Sequence, residues 1–336
     1  MPHPWLRAGL LHLGVLGALL SAPGHAQSQS PAAAPTTILF VGNSFFHGRY
    51  EPAFSYNAAT ITVEKVGQQK IGPWGGIPAI FKTLTEQAGL RYDVHFECIN
   101  GESLKMHYDS ARAIIGQPRW NTVVLQEHSL WPLPARRSGR PEVFRDYATR
   151  LEQVVHKANP QARLYFYQTW ARADQTYAPD KAYSGLPIDS MTLDLHRGYY
   201  LAARQNGHFA GVAPAGDAWL RAMRAGVAVR NPFAPEAGQL NLWGEDNYHP
   251  SQWGAYLNAC VLLAEITGYD PRRLGAQEAA AAALGITPAQ AVSLQRIAAE
   301  QVLAARPGAF TPGAAAKSAP KSSPRQVKLK AAAPGK

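Results

Sequence analysis

Short apolar runs alternate with longer amphipathic stretches over most of the chain. The runs are rich in branched and aromatic residues and end at turn residues, which predicts buried parallel strands over 37–43, 92–99, 122–127, 163–169 and 208–213. Between them, apolar residues recur at helical spacing, which predicts helices over about 76–89, 103–115, 141–158 and 189–206. This alternation predicts an α/β protein with a doubly wound parallel sheet of five strands.

Two further helices are expected after the last strand, over about 252–267 and 288–305. Ser251 stands where an N-cap residue belongs, and Thr287-Pro288 is a typical helix start. No internal repeat and no linker interrupt the alternation. We therefore expect one domain over residues 37–305.

The two ends of the chain differ from this body in composition. Residues 1–26 resemble a secretory leader, with Arg7, an apolar stretch over 10–20 and small residues at Gly24-His25-Ala26. The apolar stretch is short for a bilayer span, so we expect cleavage and a periplasmic or secreted protein rather than a retained anchor. Residues 27–36 form a Ser/Gln/Pro/Ala linker.

The formal net charge of +10 is concentrated at the C-terminus. Residues 306–336 contain seven Lys and Arg residues and no acid, which, with Arg7 also set aside, leaves +2 for residues 27–305. A nearly neutral body argues against a nucleic-acid partner. The Ala/Pro/Lys tail is expected to be disordered, either as a solvated extension or as a weak tether to an anionic envelope surface.

A serine, a histidine and an aspartate stand at positions that suit nucleophilic catalysis. Ser44 follows the first predicted strand through Gly42-Asn43, at the carboxyl edge where open α/β sheets bind ligands. Asp246 lies three residues before His249, close enough for its carboxylate to orient one ring nitrogen. A serine hydroxyl needs such a base to become nucleophilic. We therefore predict a Ser44-His249-Asp246 triad.

Less specific interpretations remain for each of these fragments. Ser44 alone would be a turn serine, and Asp246 with His249 alone would be a loop pair. His47 and His128 are other candidate bases, although neither has an acid three residues upstream. Ser103 and Asp217 are expected to cap helices, and Glu127 is expected to be structural, either capping a helix or pairing with an arginine.

Long loops rich in aromatic residues follow several of the predicted strands. Rings in such loops usually cover the ends of the sheet, but they also shape pockets for sugar or acyl groups. Trp74 and Trp170, together with Asn43 beside the nucleophile, are our candidates for substrate binding. Cys98 and Cys260 stand in apolar contexts typical of buried thiols, although export would permit a disulfide. No Cys/His cluster predicts a metal, and we expect no cofactor.

Together these motifs resemble the SGNH (GDSL-type) hydrolase superfamily over about residues 37–270. The matching blocks are Gly42-Asn43-Ser44, Gly101 after the second predicted strand, and Asp246-x-x-His249-Pro250. The resemblance implies a three-layer α/β/α fold with a flavodoxin-like, parallel five-stranded sheet. It also implies an oxyanion hole made by the backbone amides of Ser44 and Gly101 and by an asparagine side chain.

The third block departs from the superfamily pattern of Gly-x-Asn-Asp. This chain has Leu125-Gln126-Glu127 there, and we expect the amide of Gln126 to replace the asparagine. The sequence is similar to an uncharacterised branch with Gln-Glu in this block, in which Leu-Gln-Glu, Gln-Thr-Trp and Asp-x-x-His-Pro-Ser recur.

The expected function is that of an exported serine esterase acting on short-chain or carbohydrate O-acetyl esters. Two alternatives stay open at this point. The same triad would serve an O-acyltransferase that uses a sugar hydroxyl as acceptor. The altered third block is also compatible with a non-catalytic binding protein on a hydrolase scaffold.

Overall fold

The computed structural model describes residues 34–67 and 72–306. From Pro35 onward the described residues form one compact unit. No helix within them is long and apolar enough to cross a membrane. The predicted leader, most of the linker and the tail beyond Arg306 lie outside the described residues, so export, disorder and envelope association stay predictions.

Six parallel strands form one sheet in the order β2-β3-β1-β4-β5-β6. They are β1 (Thr36–Gly42), β2 (Thr62–Glu64), β3 (Tyr92–Cys98), β4 (Thr122–Leu125), β5 (Arg163–Tyr167) and β6 (Gly211–Ala213). The predicted α/β fold class is confirmed, and each of the five predicted strands is present. The predicted count of five strands is wrong, since the sheet has a sixth strand, β2, at its edge. This strand has only three residues and lacks the buried apolar run by which the other strands were predicted.

Ten α-helices connect and cover the strands of the described part. They are α1 (Ser44–His47), α2 (Gly76–Gln87), α3 (Leu104–Ile115), α4 (Pro141–Ala158), α5 (Ala173–Thr176), α6 (Ile188–Asn206), α7 (Ala215–Arg224), α8 (Gln252–Thr267), α9 (Ala279–Ala283) and α10 (Pro288–Ala305). All six helices predicted by range are present. Three of the others are single turns of four or five residues, too short to show a helical repeat.

The sheet is covered by helices on both faces, and β1 shows how the two cores divide. Ile38 and Phe40 point to the core that contains α2, α8 and α10. Leu39 and Val41 point to the core that contains α3 and α4. All four side chains are fully buried. This two-residue alternation places β1 at the centre of the fold and explains its unbroken apolar sequence.

The sheet register brings the ends of the central strands to one level. Gly42 at the end of β1 is paired with Cys98 of β3, and Val41 is paired with Leu125 of β4. Because β1 lies between β3 and β4, the chain moves to one side of β1 and then to the other. Parallel α/β sheets open a crevice at such a switch point, outside the carboxyl ends of the strands.

Helix α8 begins directly after the predicted Asp246-His249 loop. As predicted, Ser251 is its N-cap, and its Oγ accepts a hydrogen bond from the backbone N–H of Gly254. The same hydroxyl donates to the carbonyl of Asn241 at 2.7 Å. Ser251 therefore fixes both the start of α8 and the strand-like segment before the loop.

We expect Ser251→Ala to lower the free energy of unfolding by about 1 to 2 kcal/mol, because it removes the cap and leaves the half-buried carbonyl of Asn241 without this donor. Urea denaturation measures this difference. Ser293→Ala is the matched control, since Ser293 only donates back to Ala289 within α10 and should shift stability by less than about 0.5 kcal/mol. Equal stability of the two variants would contradict this role for Ser251.

Candidate active site

The turn after β1 places Ser44 at the first position of α1. Asn43 precedes it in an extended conformation, and its Oδ1 accepts a hydrogen bond from the N–H of Phe45 at 3.1 Å. The Nδ2 group of Asn43 donates to the carbonyl of Glu102 at 2.8 Å. Asn43 therefore ties the Ser44 turn to the loop that follows β3.

The side chains of Ser44, His249 and Asp246 form one hydrogen-bonded chain. Nε2 of His249 lies 2.8 Å from Oγ of Ser44, and Nδ1 lies 2.6 Å from Oδ2 of Asp246. These are hydrogen-bond distances, so the two ring nitrogens are used by different partners. The three predicted residues, which are separated by up to 205 positions, meet at the carboxyl edge of the sheet.

The carboxylate of Asp246 accepts two further hydrogen bonds in addition to the one with the His249 side chain. Its Oδ1 accepts hydrogen bonds from the backbone N–H groups of Tyr248 and His249, at 3.2 and 3.0 Å. Burial alone would raise the pKa of Asp246, but the hydrogen bonds from the side chain and backbone of His249 outweigh it and lower the pKa to about 2. Asp246 is therefore ionised at neutral pH and holds Nδ1 of His249 in the protonated form.

Aromatic side chains fix the loop that carries His249. Nε1 of Trp170 donates to the carbonyl of Tyr248 at 2.9 Å. The Phe45 ring stacks on Trp170 with centroids 4.8 Å apart, and it lies 5.6 Å from the ring of His249. Asn247 takes a left-handed backbone conformation, with φ of 62°, which closes the turn between acid and base. The loop is thus braced from the nucleophile side.

A cavity of about 180 Å³ opens beside Ser44. It is lined by Asn43, Ser44, Phe45, Gly101, His128, Ser129, Arg172 and Tyr248. Gly101 has a φ of +73°, a conformation that favours glycine, in the turn after β3. Within the described part, the backbone N–H groups of Ser44 and Gly101 donate no hydrogen bond, so both are available to an oxygen atom in this cavity.

Gln126 does not have the orientation that the sequence analysis expected. Its Oε1 accepts the backbone N–H of Asn43 at 3.0 Å, and its Nε2 donates to the carbonyl of Glu127. If Oε1 and Nε2 were exchanged, Nε2 would face the N–H of Asn43 and Oε1 would face the carbonyl of Glu127, and neither pair could form a hydrogen bond. The neighbouring groups therefore require this orientation of the amide. The fully buried amide therefore holds the Ser44 turn and presents no donor to the cavity.

The two tryptophans predicted to bind substrate are buried instead. Trp170 is fully buried between Phe45 and Trp219, where it positions the His249 loop. Trp74 stacks on His47 with centroids 4.9 Å apart, away from the residues that line the cavity. Those two predictions are wrong, because both rings face inward and pack on the core. Asn43 does line the cavity, although its side-chain amide is occupied by the turn.

The alternative bases do not contact the nucleophile. His47 lies 2.7 Å from Oδ1 of Asn100, and burial lowers its pKa to about 4. This bond ties α1 to the loop that carries Gly101. His128 lines the cavity, and the described hydrogen bonds do not join it to Ser44.

Arg172, Ser129 and Tyr248 line the cavity but were not among the predicted site residues. The guanidinium donates to Oγ of Ser129 at 3.1 Å and forms a two-point ion pair with Asp174 at 3.0 and 2.7 Å. It also lies 4.3 Å from the centre of the Tyr248 ring. A charged residue just after a strand of a parallel sheet, only two positions beyond Trp170, was the available signal.

Glu127 is structural, as expected. Its Oε1 accepts hydrogen bonds from the backbone N–H groups of Leu104, at 3.2 Å, and His128, at 2.6 Å. Glu127 therefore caps α3, whereas Ser103 occupies the N-cap position without a side-chain bond. Burial raises the pKa of Glu127 to about 8 despite those two bonds.

Asp217 does not precede the next helix as predicted but lies inside the first turn of α7. Its carboxylate accepts a hydrogen bond from Gln168 at 2.9 Å and lies 2.7 Å from Nδ1 of His196. The N-cap position is Pro214, three residues earlier than expected. Gly216 in the first turn packs closely on the backbone after β5, where any side chain would clash with the carbonyl of Thr169.

The two cysteines are both buried and carry thiols. Burial raises the pKa of each thiol well above its usual value, so neither is a reactive thiolate. Residues 34–67 and 72–306 contain no cluster of three or more His, Cys, Asp or Glu residues suited to a metal ion.

The described residues form the α/β/α fold that the resemblance implied, with a parallel sheet covered by helices on both faces. No family profile and no curated protein match its sequence. A DUF4886 family protein from Bacteroides uniformis is similar over 80% of this chain and 95% of its own, with 17% identity and a TM-score of 0.51. This likeness shows a shared fold.

Two other solved structures are similar over smaller parts of the chain. Phospholipase A1 from Streptomyces albidoflavus has 14% identity and a TM-score of 0.44, over 69% of this chain and all of its own. A catalytic mutant of the acetylxylan esterase Axe2 from Geobacillus stearothermophilus has 18% identity and a TM-score of 0.43, over 70% of this chain and 96% of its own.

The raised pKa of Glu127 predicts a stability difference that depends on pH. Between the unfolded pKa of 4.5 and the folded value of about 8, the folded protein binds more protons. Stability from this group is therefore complete below about pH 4.5 and is lost as the pH rises toward 8. Glu127→Gln keeps the accepting oxygen and has nothing to titrate.

We expect the free energy of unfolding of the wild type to fall relative to Glu127→Gln by about 1 kcal/mol per pH unit between about pH 5 and 8. Urea denaturation of both proteins at each pH measures this difference. Titration of His47 and His128 is common to the two proteins and largely cancels. A difference that does not change with pH would contradict a protonated Glu127.

Proposed function

We propose that this protein is a serine esterase in which Ser44 is the nucleophile, His249 the general base and Asp246 the residue that orients it. The observation that carries the proposal is the unbroken hydrogen-bonded chain from Asp246 through His249 to Oγ of Ser44, beside a cavity. This constellation is defined by geometry and roles rather than by fold.

In the acylation step, Oγ of Ser44 forms a bond to the ester carbonyl carbon while Nε2 of His249 takes its proton. The carbonyl oxygen becomes an oxyanion that accepts hydrogen bonds from the free backbone N–H groups of Ser44 and Gly101. The ionised carboxylate of Asp246 stabilises the imidazolium formed. The bond to the leaving alcohol oxygen then breaks, and that oxygen takes the proton from Nε2.

In the deacylation step, a water molecule attacks the acyl carbon and gives its proton to Nε2 of His249. Collapse of the second oxyanion breaks the bond to Oγ of Ser44, which recovers the proton, and releases the carboxylic acid. Every acid, base and donor in this scheme belongs to the chain or to water.

The size and lining of the cavity support a short acyl group. Its volume of about 180 Å³ is below the roughly 300 to 1,000 Å³ of sites that hold larger ligands. Polar groups of Ser129 and Arg172 line it together with Tyr248, which suits the hydroxyl-bearing alcohol of a carbohydrate O-acetyl ester. The leader-like residues 1–26 support the further proposal that the enzyme acts after export.

We expect Ser44→Ala to lower ester turnover by roughly 10⁴-fold or more, since the nucleophile is removed. The measurement is hydrolysis of 4-nitrophenyl acetate, together with mass-spectrometric mapping of a fluorophosphonate probe on the wild type. The probe should label Ser44 and leave Ser103 unmodified. Ser293→Ala is the matched control and should keep wild-type turnover. A wild type that neither reacts with the probe nor hydrolyses any ester would indicate the binding-protein alternative.

Turnover should decrease with acyl length. Because the cavity is small, we expect kcat/KM to fall roughly tenfold or more from acetyl to octanoyl esters, as extra methylenes overfill the site. A 4-nitrophenyl ester series measures the trend, and an acetylated sugar with and without an acceptor sugar tests the alcohol side. Constant or rising kcat/KM would contradict a short-acyl site. Acyl transfer to sugar exceeding release of free acid would indicate an O-acyltransferase.

A further inference from the structure

The imidazole of His128 lines the cavity beside Ser44 and has no part in the scheme above. Gln126 was expected to complete the oxyanion hole, but its amide is committed to Asn43 and to the carbonyl of Glu127. His128 does line the cavity, together with Ser44 and Gly101, whose backbone N–H groups are free. The three residues come from the loops after β1, β3 and β4.

The hydrogen bonds of His128 define which ring nitrogen carries its proton. Its Nδ1 accepts the backbone N–H of Leu130 at 3.3 Å, so Nδ1 has no proton in the neutral ring. The proton must then lie on Nε2, to which no group in the described part bonds. The backbone N–H of His128 is used by Glu127, so the ring is the part of the residue with a donor to offer.

The surroundings of His128 keep its ring neutral. Burial, and then the charges of Arg172 and Arg140, lower its pKa to about 4. A neutral ring whose Nδ1 lone pair is occupied cannot take the proton of Ser44, which removes His128 as a competing base. The ring also packs against Trp131, with centroids 5.8 Å apart, which restricts its rotation.

We propose that the Nε2–H group of His128 is the third oxyanion donor, taking the place that the sequence analysis gave to Gln126. This inference rests on the proposed esterase function, because it assigns a role in the same reaction. As the carbonyl oxygen gains charge, Nε2–H would donate alongside the N–H groups of Ser44 and Gly101. No proton leaves Nε2 in either step, so His128 acts through a fixed dipole while His249 moves the protons.

The test is a set of substitutions at His128, assayed by steady-state hydrolysis of 4-nitrophenyl acetate. His128→Phe keeps a planar ring and removes the donor, and loss of one such donor typically lowers kcat by about 10² to 10³-fold. We expect that loss with KM changed by less than roughly threefold, because the donor acts mainly in the transition state. His128→Asn, which carries an amide N–H, should recover at least about tenfold of the loss.

A second measurement separates an oxyanion donor from a packing residue. A boronic acid that forms a tetrahedral adduct at Ser44 should bind His128→Phe more weakly by a factor similar to the loss in kcat. Acetamide, a neutral and planar analogue of the substrate, should lose far less affinity. Thermal denaturation checks the fold, and if His128→Phe does not fold, the comparison is made with His128→Asn and His128→Ala.

Several outcomes would overturn the assignment. Wild-type kcat in folded His128→Phe or His128→Ala would do so, as would equal weakening of the binding of boronic acid and acetamide. A large loss of kcat in Ser129→Ala with none at His128 would assign the donor to the Ser129 hydroxyl instead. These results are distinct from failure of the esterase proposal, in which the wild type itself would show no turnover that depends on Ser44.

Discussion

The hydrogen bond between Nε2 of His249 and Oγ of Ser44 is the contact on which the site depends, because it joins loops 205 positions apart. This hydrogen bond requires that both loops hold their side chains in fixed positions. Asn43 anchors the serine turn, and Trp170 anchors the histidine loop through the carbonyl of Tyr248. Phe45 lies between the two anchors, stacked on Trp170 and near His249, so the nucleophile turn and the base loop brace each other.

The fold was largely predictable because its strands are buried on both faces. In β1, consecutive apolar residues alternate between two cores, and that requirement is visible in the sequence. The strand β2 was not predicted because it is short and polar. It lies at the edge of the sheet and is not buried on both faces, so its residues need not be apolar. The early start of α7 also escaped, since Gly216 is a poor helix former placed there for close contact with Thr169.

The bond between Asp246 and His249 was predictable for a different reason: the two residues are local partners, and their spacing alone allows the bond between them. The directions in which single side chains point could not be predicted in this way. Trp74, Trp170 and Gln126 lie in the expected loops, yet each turns toward the core or the backbone rather than the cavity. Sequence position fixes which edge of the sheet a loop occupies, whereas packing among distant residues fixes where its side chains point.

The segment after β4 shows how that packing organises the site. Gln126 holds the amide of Asn43, and Glu127 holds those of Leu104 and His128, so two buried side chains fix the backbone around the nucleophile. Burial leaves both Glu127 and His128 uncharged at neutral pH. In the proposed esterase reaction, an uncharged wall matters because a fixed negative charge beside Ser44 would oppose the oxyanion. The departure from Gly-x-Asn-Asp is therefore a coordinated change of consecutive residues rather than a single exchanged amide.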